Sequence, residues 1–317
     1  LEHVVQQTER EGGFAAVPRS RVQELAQERM EQNAQTLLET FPDSGRTGYL
    51  LRRTFDEVTQ VVDELYDELS VSAFRPKFCE LEFSARGALP GVAFAGERCR
   101  GVVEGFVDRV DVWQSGGRPY VRVVDYKTGS KKLDLKEVYC GLDCQMLLYL
   151  FSLTRDGSGR FTGAEPAGVL YLLADPAPEN TTRANAARSV EYKLDGLVRD
   201  EQKLFRAMDA DETGRYLPFS YLRGVPSPYQ KDKRADSAKL DRIRLHLDDL
   251  VTRMGEQLYG GQIAAEPLVT GRSPCLWCDY SFICCHENGI GERALDAPAK
   301  PFEAPETPPE EGKEEQP

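Results

Sequence analysis

An α/β fold is predicted by three features of the sequence. Apolar residues recur at helical spacing near the start, alternate with polar residues further on, and then fill two valine-rich stretches. The predicted elements are helices at 20–40 and 47–73, and strands at 77–84, 101–113 and 118–128. Gly116 and Gly117 form a turn signal between the last two strands, so these should pair as a hairpin. We therefore expect helices packed on a sheet.

The second half of the chain continues this pattern. We expect helices at 134–154, 197–208 and 237–259, and strands at 167–174 and 189–197. The chain divides into four parts: a helical part at 1–75, a sheet core at 76–210, a basic and helical segment with a cysteine cluster at 211–290, and an acidic tail at 291–317. The tail is rich in Pro and Glu with almost nothing to bury, so it should be disordered.

Composition limits where the protein works. The chain has 317 residues, 40% of them hydrophobic, and a net charge of −12. No apolar run approaches the roughly 20 residues that a membrane helix needs, and no signal peptide is visible. We therefore expect a cytoplasmic protein without a membrane partner, whose eight cysteines do not form disulfides. Because the chain starts with Leu1 inside a helical pattern, we expect a fragment whose N-terminal portion is missing.

One segment of the chain is basic, although the chain as a whole has a negative net charge. Residues 215–244 carry eight Lys or Arg against three Asp, and Tyr216, Phe219, Tyr221 and Tyr229 lie among them. Basic residues interleaved with aromatics suit a phosphate backbone and stacked bases. A solvated loop that leads into a helix explains the same composition.

An acid and a lysine interrupt the strand VVDYKTGS, residues 123–130. Asp125 and Lys127 are two apart, so they share a face of the strand. A hairpin that turns at Gly116 and Gly117 sets Asp108 opposite Asp125, about 5 Å away. Two carboxylates at that distance repel each other unless a cation lies between them. Hard oxygen ligands suit Mg²⁺ or Mn²⁺.

Lys127 suits the same chemistry. Beside a metal-bound phosphate, an ammonium can orient the attacking water and stabilise the charge that develops in the transition state. The two acids and the lysine therefore indicate phosphodiester hydrolysis. A surface ion pair between Asp125 and Lys127 on an edge strand is the alternative.

The motifs GFVDRVD and VVDYKTG, followed by a helix with Gln145 and Tyr149 four apart, resemble the RecB-type nucleases of the PD-(D/E)XK superfamily. The resemblance implies a restriction-endonuclease-like nuclease core, in which a mixed sheet is flanked by helices. It implies that Asp108 and Asp125 are the metal ligands and that Lys127 is the catalytic lysine. It also implies that Gln145 and Tyr149 contact DNA or orient the catalytic groups. Packing at the edge of the core is the alternative for these two.

The same family commonly has a further metal ligand, His or Glu, on an upstream helix. The resemblance places that residue before Leu1, which leaves His3 as an ordinary surface residue. Glu80 and Glu82, on the strand before the hairpin, are further candidates to complete the site. Glu104 is another, because it lies four residues before Asp108 and so on the same face of the predicted strand.

A cysteine cluster lies near the end of the chain, in PCLWCDYSFICC. Cys275 and Cys278 form a CxxC turn that presents two thiolates to one centre, and Cys284 lies close enough in sequence to join them. Tetrahedral zinc and a [4Fe–4S] cluster both fit, and each needs four ligands. His286 would complete a zinc site of three cysteines and one histidine.

This cysteine spacing after a RecB-type domain resembles the iron–sulfur nucleases: the AddB subunits of AddAB helicase–nucleases, the CRISPR Cas4 proteins and the Dna2 type. The resemblance implies a [4Fe–4S] cluster whose fourth cysteine lies upstream of Leu1. The long segment before the cysteines is most similar to the AddB type. That type implies an exonuclease acting on one DNA strand in double-strand-break repair by recombination, in a heterodimer with an AddA-type helicase–nuclease subunit. A Cas4-like nuclease, or a catalytically silent DNA-binding or assembly module stapled by a metal cluster, is the alternative.

Overall fold

The fold begins with three helices. A computed structural model of the chain describes residues 1–40, 45–84, 86–87, 89–127, 132–155, 161–173, 194–271, 273–287 and 289–304. The first helices are α1 (Glu2–Arg10), α2 (Arg19–Thr40) and α3 (Gly45–Val71). Their apolar faces meet in a cluster that includes Val5, Phe14, Val22, Leu65 and Leu69. The helices predicted at 20–40 and 47–73 are confirmed.

A mixed sheet of six strands forms the centre of the molecule, in the order β1-β4-β5-β6-β7-β10. These strands are β1 (Arg75–Phe83), β4 (Gly105–Ser115), β5 (Arg118–Lys127), β6 (Glu165–Leu173), β7 (Leu194–Arg199) and β10 (Arg234–Ala235). The pairs β5–β6 and β7–β10 are parallel, and the other neighbours are antiparallel. The predicted α/β fold with a mixed sheet is confirmed. The first five residues of the strand predicted at 189–197 lie outside the described residues.

The remaining elements are short strand pairs and five more helices. The pairs are β2 (Val92–Ala95) with β3 (Arg100–Val103), β8 (Tyr221–Leu222) with β9 (Val225–Pro226), and β11 (Leu268–Val269) with β12 (Arg293–Ala294). The helices are α4 (Leu135–Tyr139), α5 (Gln145–Arg155), α6 (Gln202–Met208), α7 (Ser237–Tyr259) and α8 (Ser281–Cys284). Within the described ranges, no helix combines the length and the apolar character needed to cross a membrane.

Two predicted elements are broken in the structure. The long strand expected at 101–113 is interrupted at Glu104, because β3 leaves the main sheet and pairs with β2. The helix expected at 134–154 is interrupted between α4 and α5, where Gly141 and Asp143 have φ values of 94° and 53°. Glycine and aspartate tolerate this left-handed region better than most residues. The second break matters for function, because it makes Gln145 the first residue of α5.

The sheet is covered on both faces. Helices α5 and α7 pack on one face, in a cluster that includes Val110, Val123, Tyr149 and Ile243. Helix α6 packs on the other face, where Leu204 and Phe205 contact the cluster around Val124 and Leu170. Helix α7 and strand β10 both come from the segment predicted at 211–290, so that segment contributes to the main sheet and its core.

The start of the predicted tail differs from the expectation of disorder. Phe302 is 9% exposed, and its ring centroid lies 5.7 Å from that of Tyr139 and 5.3 Å from that of His246. Lys239 of α7 forms an ion pair of 2.8 Å with Glu303. The prediction is therefore wrong for residues 291–304, because one aromatic side chain finds an apolar site on the core. Residues 305–317 of the predicted tail lie outside the described residues.

Four charged side chains are fully buried where the sheet meets α3. Arg109 of β4 lies 2.9 Å from Asp111 and 3.2 Å from Glu68 of α3, and it donates a hydrogen bond of 3.0 Å to the Tyr126 hydroxyl. Arg122 of β5 contacts the same two carboxylates. The charges therefore balance, as buried charges require. Burial disfavours ionisation of Glu68, but the two guanidinium groups hold its pKa below its ordinary value.

This buried network predicts a large difference between two acidic residues of α3. We expect Glu68→Ala to lower the free energy of unfolding by about 3–5 kcal/mol, because it leaves a buried guanidinium without its partner. Glu57→Ala is the matched control: its 2.7 Å pair with Arg53 is exposed, and exposed pairs contribute little. Urea unfolding monitored by circular dichroism measures both. Similar losses for the two variants would contradict this role of the network.

Candidate functional site

The β4–β5 hairpin has the register that the sequence predicts. Gly116 and Gly117 both have left-handed φ values, 59° and 76°, which a two-residue turn of this kind needs. The strands pair from Ser115 with Arg118 to Arg109 with Val124. One step further, this register brings Asp108 beside Asp125 at the end of the paired region.

At this point the alternation of side chains between the two faces of the sheet is interrupted in β4 and in its neighbour β1. Val107 and Val110 are three residues apart, yet both belong to the core cluster under α5. Side chains alternate with a period of two, so β4 must change face between them. In β1 the neighbouring position is Glu80, which has a left-handed φ of 49°. The two irregularities adjoin each other and turn the Asp108 carboxylate out of the regular pleat.

Asp108 is held by the backbone of the neighbouring strand. Its Oδ2 accepts a hydrogen bond of 2.8 Å from the Tyr126 N–H, which lies past the last strand pair. With Tyr126 and Glu80 it lines a cleft of about 410 Å³ that Leu1, Glu2 and Cys79 complete. Burial, and then the charge of Asp108, raise the pKa of Glu80 above its ordinary value. Negative charge is therefore concentrated at this cleft.

Asp125 and Lys127 share a face of β5, as their spacing predicts. The Lys127 ammonium lies 2.6 Å from Asp125 Oδ2, with the two side chains 31% and 13% exposed. It also lies 5.8 Å from the ring centroid of Tyr171 on β6, which pairs with Asp125. A carboxylate and an aromatic face both stabilise a positive charge. These contacts hold the Lys127 side chain beside Asp125 and Tyr171.

Helix α5 brings Gln145 and Tyr149 to the same end of β4. Gln145 is exposed, and its Nε2 donates a hydrogen bond of 3.3 Å to the Tyr149 hydroxyl. The Tyr149 ring is buried and stacks on Phe83, with the centroids 4.9 Å apart. A Cβ at Gly105 would lie 1.8 Å from the Tyr149 hydroxyl. The glycine of the GFVD motif therefore makes room for this tyrosine, three residues before Asp108.

The other candidate residues are more scattered. His3 is exposed on α1, as expected for a surface residue. Glu82 accepts a hydrogen bond of 2.6 Å from Ser84, and Glu104 lies at the break between β3 and β4. The face that the sequence suggests Glu104 and Asp108 share is lost at that break. Of the further acidic candidates, Glu80 is the one that lines the cleft with Asp108.

The chemistry of the site fits a small divalent cation. Among the described residues, no three His, Cys, Asp or Glu side chains converge on one point. Mg²⁺ does not require three, since it usually keeps several waters and binds through one or two carboxylates and substrate phosphate. The register of the hairpin, continued one step past Arg109 and Val124, sets the backbones of Asp108 and Asp125 opposite each other, and two carboxylates are such a donor set.

Two neighbours of the candidate site residues were not identified from the sequence as structural anchors. Arg109 follows Asp108, and Tyr126 separates Asp125 from Lys127. Their side chains meet at 3.0 Å on the face of the sheet that carries the buried ion network. Arg109 and Asp111 alternate in DRVD, which is a sequence signal for two charges on one face of a strand. Their partner Glu68 could not be identified in the same way, because it lies 41 residues from Arg109 in sequence.

The cysteine cluster is at the surface. Cys275 is half-buried, and Cys278 and Cys284 are exposed. Their segment exposes large apolar side chains: Leu276, Trp277, Tyr280, Phe282 and Ile283. These cysteines belong to the part of the chain that the structure describes, and no three of them converge on a common point there. His286 lies 3.8 Å from Glu292.

Most of the basic segment is used inside the protein. Six of its eight basic side chains bind acids or a carbonyl of this chain: Arg215, Lys233, Arg234, Lys239, Arg242 and Arg244. Tyr216 and Phe219 are buried in the core, whereas Tyr229 is 86% exposed. The interpretation of the whole segment as a nucleic-acid surface is therefore wrong. Arg223, Tyr229 and Lys231 remain exposed.

Known proteins resemble this chain over most of its length. An ATP-dependent helicase/deoxyribonuclease subunit of Moorella thermoacetica is 32% identical over 277 residues, which are 81% of this chain and 24% of that protein. The proteins of the same name from Bacillus subtilis and Thermoanaerobacter sp. (strain X514) are 31% and 29% identical, each over 78% of this chain and 22% of their own length. The chain thus spans about a fifth to a quarter of these curated relatives.

A family match covers more of the chain. Residues 1–285 match the PD-(D/E)XK nuclease superfamily, a range that includes the mixed sheet, Asp108, Asp125, Lys127 and the first turn of α5. The match and the fold agree, and the chain belongs to the PD-(D/E)XK nuclease superfamily.

Proposed function

We propose that this chain is the nuclease domain of an AddB-type helicase–nuclease subunit. It is a Mg²⁺-dependent deoxyribonuclease that acts as an exonuclease on one DNA strand. The observation that carries this proposal is the Lys127–Asp125 pair, 2.6 Å apart and adjacent to Asp108, on a PD-(D/E)XK nuclease fold. The chain's similarity to proteins named as helicase/deoxyribonuclease subunits supports the choice of DNA as substrate.

The proposed site residues have different roles in the reaction. Asp108 and Asp125 would hold Mg²⁺ or Mn²⁺, and the bound ion would supply an activated water and neutralise charge on the scissile phosphate. Lys127 orients the attacking water and stabilises the developing negative charge through its ammonium. Gln145, exposed at the first turn of α5 and bound to Tyr149, contacts the DNA backbone beside this site. The Tyr149 hydroxyl fixes the amide of Gln145.

The cellular role follows from the relatives. Their name designates one subunit of an ATP-dependent helicase/deoxyribonuclease. We propose that this chain also acts in the cytoplasm beside an AddA-type helicase–nuclease subunit, in a heterodimer that processes DNA ends for repair by recombination. The helicase would deliver a separated strand to the end of the sheet where Lys127 lies.

The exposed remainder of the basic segment is suited to that strand. The β8–β9 turn carries Arg223, and the 3₁₀ helix Pro228–Lys233 carries Tyr229 and Lys231. Two cations beside one exposed aromatic ring can bind a phosphate and stack a base. The helix ends at Lys233, which contacts Asp195 of β7, and Asp195 lies in the same row of the sheet as Tyr171 and Asp125. We propose that Arg223, Tyr229 and Lys231 contact single-stranded DNA.

We make a second proposal for the cysteine cluster. Cys275, Cys278 and Cys284 bind a [4Fe–4S] cluster, with a fourth ligand that these three do not supply. Their spacing supports this proposal, and metal binding commonly couples to local folding, so the thiolates would converge when the cluster forms. The exposed Trp277 and Phe282 side chains can then shield it from water.

The first of three predictions from this proposal concerns the carboxylates that are proposed to bind the metal. We expect Asp108→Asn to lower cleavage of single-stranded DNA with Mg²⁺ by roughly 10²–10³-fold while DNA binding persists, because the metal is lost and the fold is not. Glu165→Gln is the matched control, since Glu165 lies on the same sheet at the opposite end of β6. Gel-based cleavage assays measure the rates. Full cleavage by Asp108→Asn would show that the site is misassigned, and binding without cleavage by the wild type would favour a silent DNA-binding module.

The second prediction concerns the exposed aromatic. We expect Tyr229→Ala to weaken binding of single-stranded DNA on the order of tenfold, because one stacked base is lost. Tyr216→Phe, which alters a buried ring of the same segment, should leave affinity unchanged. Fluorescence anisotropy with a labelled oligonucleotide, in EDTA, gives both dissociation constants. Equal affinity in the two variants would remove Tyr229 from the DNA path.

The third prediction concerns the cluster. Protein purified without oxygen should be brown and contain iron and acid-labile sulfide, which Cys275→Ser should abolish. Cys285→Ser is the matched control, because Cys285 adjoins Cys284 but is outside the proposed ligand set. Elemental analysis distinguishes the metals. A colourless wild type with stoichiometric zinc that is lost in His286→Ala would replace the cluster by a zinc site.

A further inference from the structure

The residue Leu133, six positions after Lys127, is bound by the same pair of charged side chains at both of its backbone polar atoms. Asp195 Oδ1 accepts a hydrogen bond of 2.7 Å from the Leu133 N–H. The Lys233 ammonium donates one of 3.2 Å to the Leu133 carbonyl. Asp195 and Lys233 also bind each other, with Nζ 2.8 Å from Oδ2 and side chains 13% and 14% exposed. We call this arrangement the Asp195–Lys233 clamp.

The clamp lies in the same row of the sheet as the candidate site. Asp125 of β5 pairs with Tyr171 of β6, and Tyr171 pairs with Asp195 of β7. Residues in register on neighbouring strands point to one face, and strands are about 4.8 Å apart, so the backbones of Asp125 and Asp195 are about 10 Å apart. Two Asp–Lys pairs therefore flank the Tyr171 ring, one with Lys127 and the other with Lys233.

The end of β5 needs such support. On the β4 side its strand pairing ends at Val124, whereas on the β6 side it continues to Lys127, which pairs with Leu173. The last three residues of β5 are thus paired along one edge, and they include Asp125 and Lys127. On the β4 side, a side-chain hydrogen bond from the Tyr126 N–H to Asp108 takes the place of strand pairing. A strand end with one paired neighbour can tilt, and a shift of about 1 Å in a reacting group can cost about 10²-fold in rate.

We propose that Asp195 and Lys233 are positioning residues of the nuclease site. The clamp holds Leu133 and also fixes Asp195 in the row that contains Tyr171 and Asp125, and it thereby steadies the positions of Lys127 and the Asp125 carboxylate. Neither residue touches the reacting atoms. The inference rests on the proposed function, and it gives the C-terminal half of the chain a part in the site, because Lys233 lies 38 residues after Asp195 and 106 after Lys127.

Three variants separate positioning from general stability. Asp195→Asn keeps an acceptor for the Leu133 N–H but loses the charge that holds Lys233. Lys233→Met keeps the apolar stem and loses both contacts, whereas Lys233→Arg keeps a cationic donor. The matched control is Asp200→Asn, which removes a 3.2 Å ion pair with Arg234 at the other end of β7.

The test compares these variants in the complete protein, with any subunit that co-purifies. Cleavage of single-stranded DNA gives kcat and KM, thermal unfolding gives Tm, and hydrogen exchange reports on residues 132–139. We expect Asp195→Asn and Lys233→Met to lower kcat by roughly 10–100-fold with KM changed less than about twofold. Exchange at 132–139 should accelerate, and the double variant should lose little more than either single one, because both act through Leu133. Lys233→Arg should recover part of kcat, and Asp200→Asn should match the wild type.

The outcomes distinguish this inference from the function on which it rests. A wild-type kcat in Asp195→Asn and Lys233→Met, or losses that follow Tm alone and recur in Asp200→Asn, would overturn the positioning role. If Lys233→Met does not fold, Lys233→Arg and Asp195→Asn give the same comparison. An inactive wild type, or an active Asp108→Asn, overturns the proposed function instead, while the exchange at 132–139 still reports whether the clamp holds Leu133.

Discussion

The buried ion network is the constraint on which the rest of the site depends. Arg109 and Arg122 have no contact with water, so each must stay paired with Glu68 and Asp111. Glu68 belongs to α3, and the other three belong to the β4–β5 hairpin. The pairing therefore fixes the helix on the hairpin in one arrangement, because any slip of one residue would leave a buried charge without a partner. The position of the hairpin that carries Asp108 and Asp125 relative to α3 is therefore fixed as well.

The site forms where the regular sheet stops. Beyond Arg109 and Val124, β4 and β5 no longer pair, and the Asp108 carboxylate accepts the hydrogen bond of the Tyr126 N–H there. If β4 and β5 stayed paired here, hydrogen bonds between the strands would satisfy these backbone groups. The acidic side chains would then lie on a regular face of the sheet. The break places carboxylates at the strand ends, where substrate has access. The anchor residues Arg109 and Tyr126 are immediate neighbours of Asp108 and Asp125, so the same short motifs contain both the buried anchors and the proposed catalytic side chains.

Local signals explain what the sequence could predict. The register of the hairpin follows from two glycines and from strand alternation, and so the proximity of Asp108 to Asp125 was accessible. The partners of Arg109 and Lys233 were not, because Glu68 and Asp195 lie 41 and 38 residues away and reach them through tertiary packing. The break before Gln145 was hidden by an apolar pattern that continues across Gly141 and Asp143. The burial of Phe302 was missed because the residues around it are rich in Pro and Glu, which predicts disorder. One buried aromatic ring is nevertheless enough to hold this polar segment against the core.

The basic segment shows why charge counts alone mislead. Its excess of Lys and Arg suggested an electrostatic arm, yet Arg215, Lys233 and Lys239 each neutralise an acid elsewhere in the fold. These cations compensate acids that the architecture brings together, including Asp195 beside the active-site row. Such pairs release no counterions to DNA, so they add little to nucleic-acid affinity. Under the proposed function, a DNA strand is then held by a few exposed groups near the sheet end and by the proposed metal site. That arrangement suits the proposed enzyme, because weak, sequence-independent contacts would let a strand delivered by the proposed helicase partner advance after each cut.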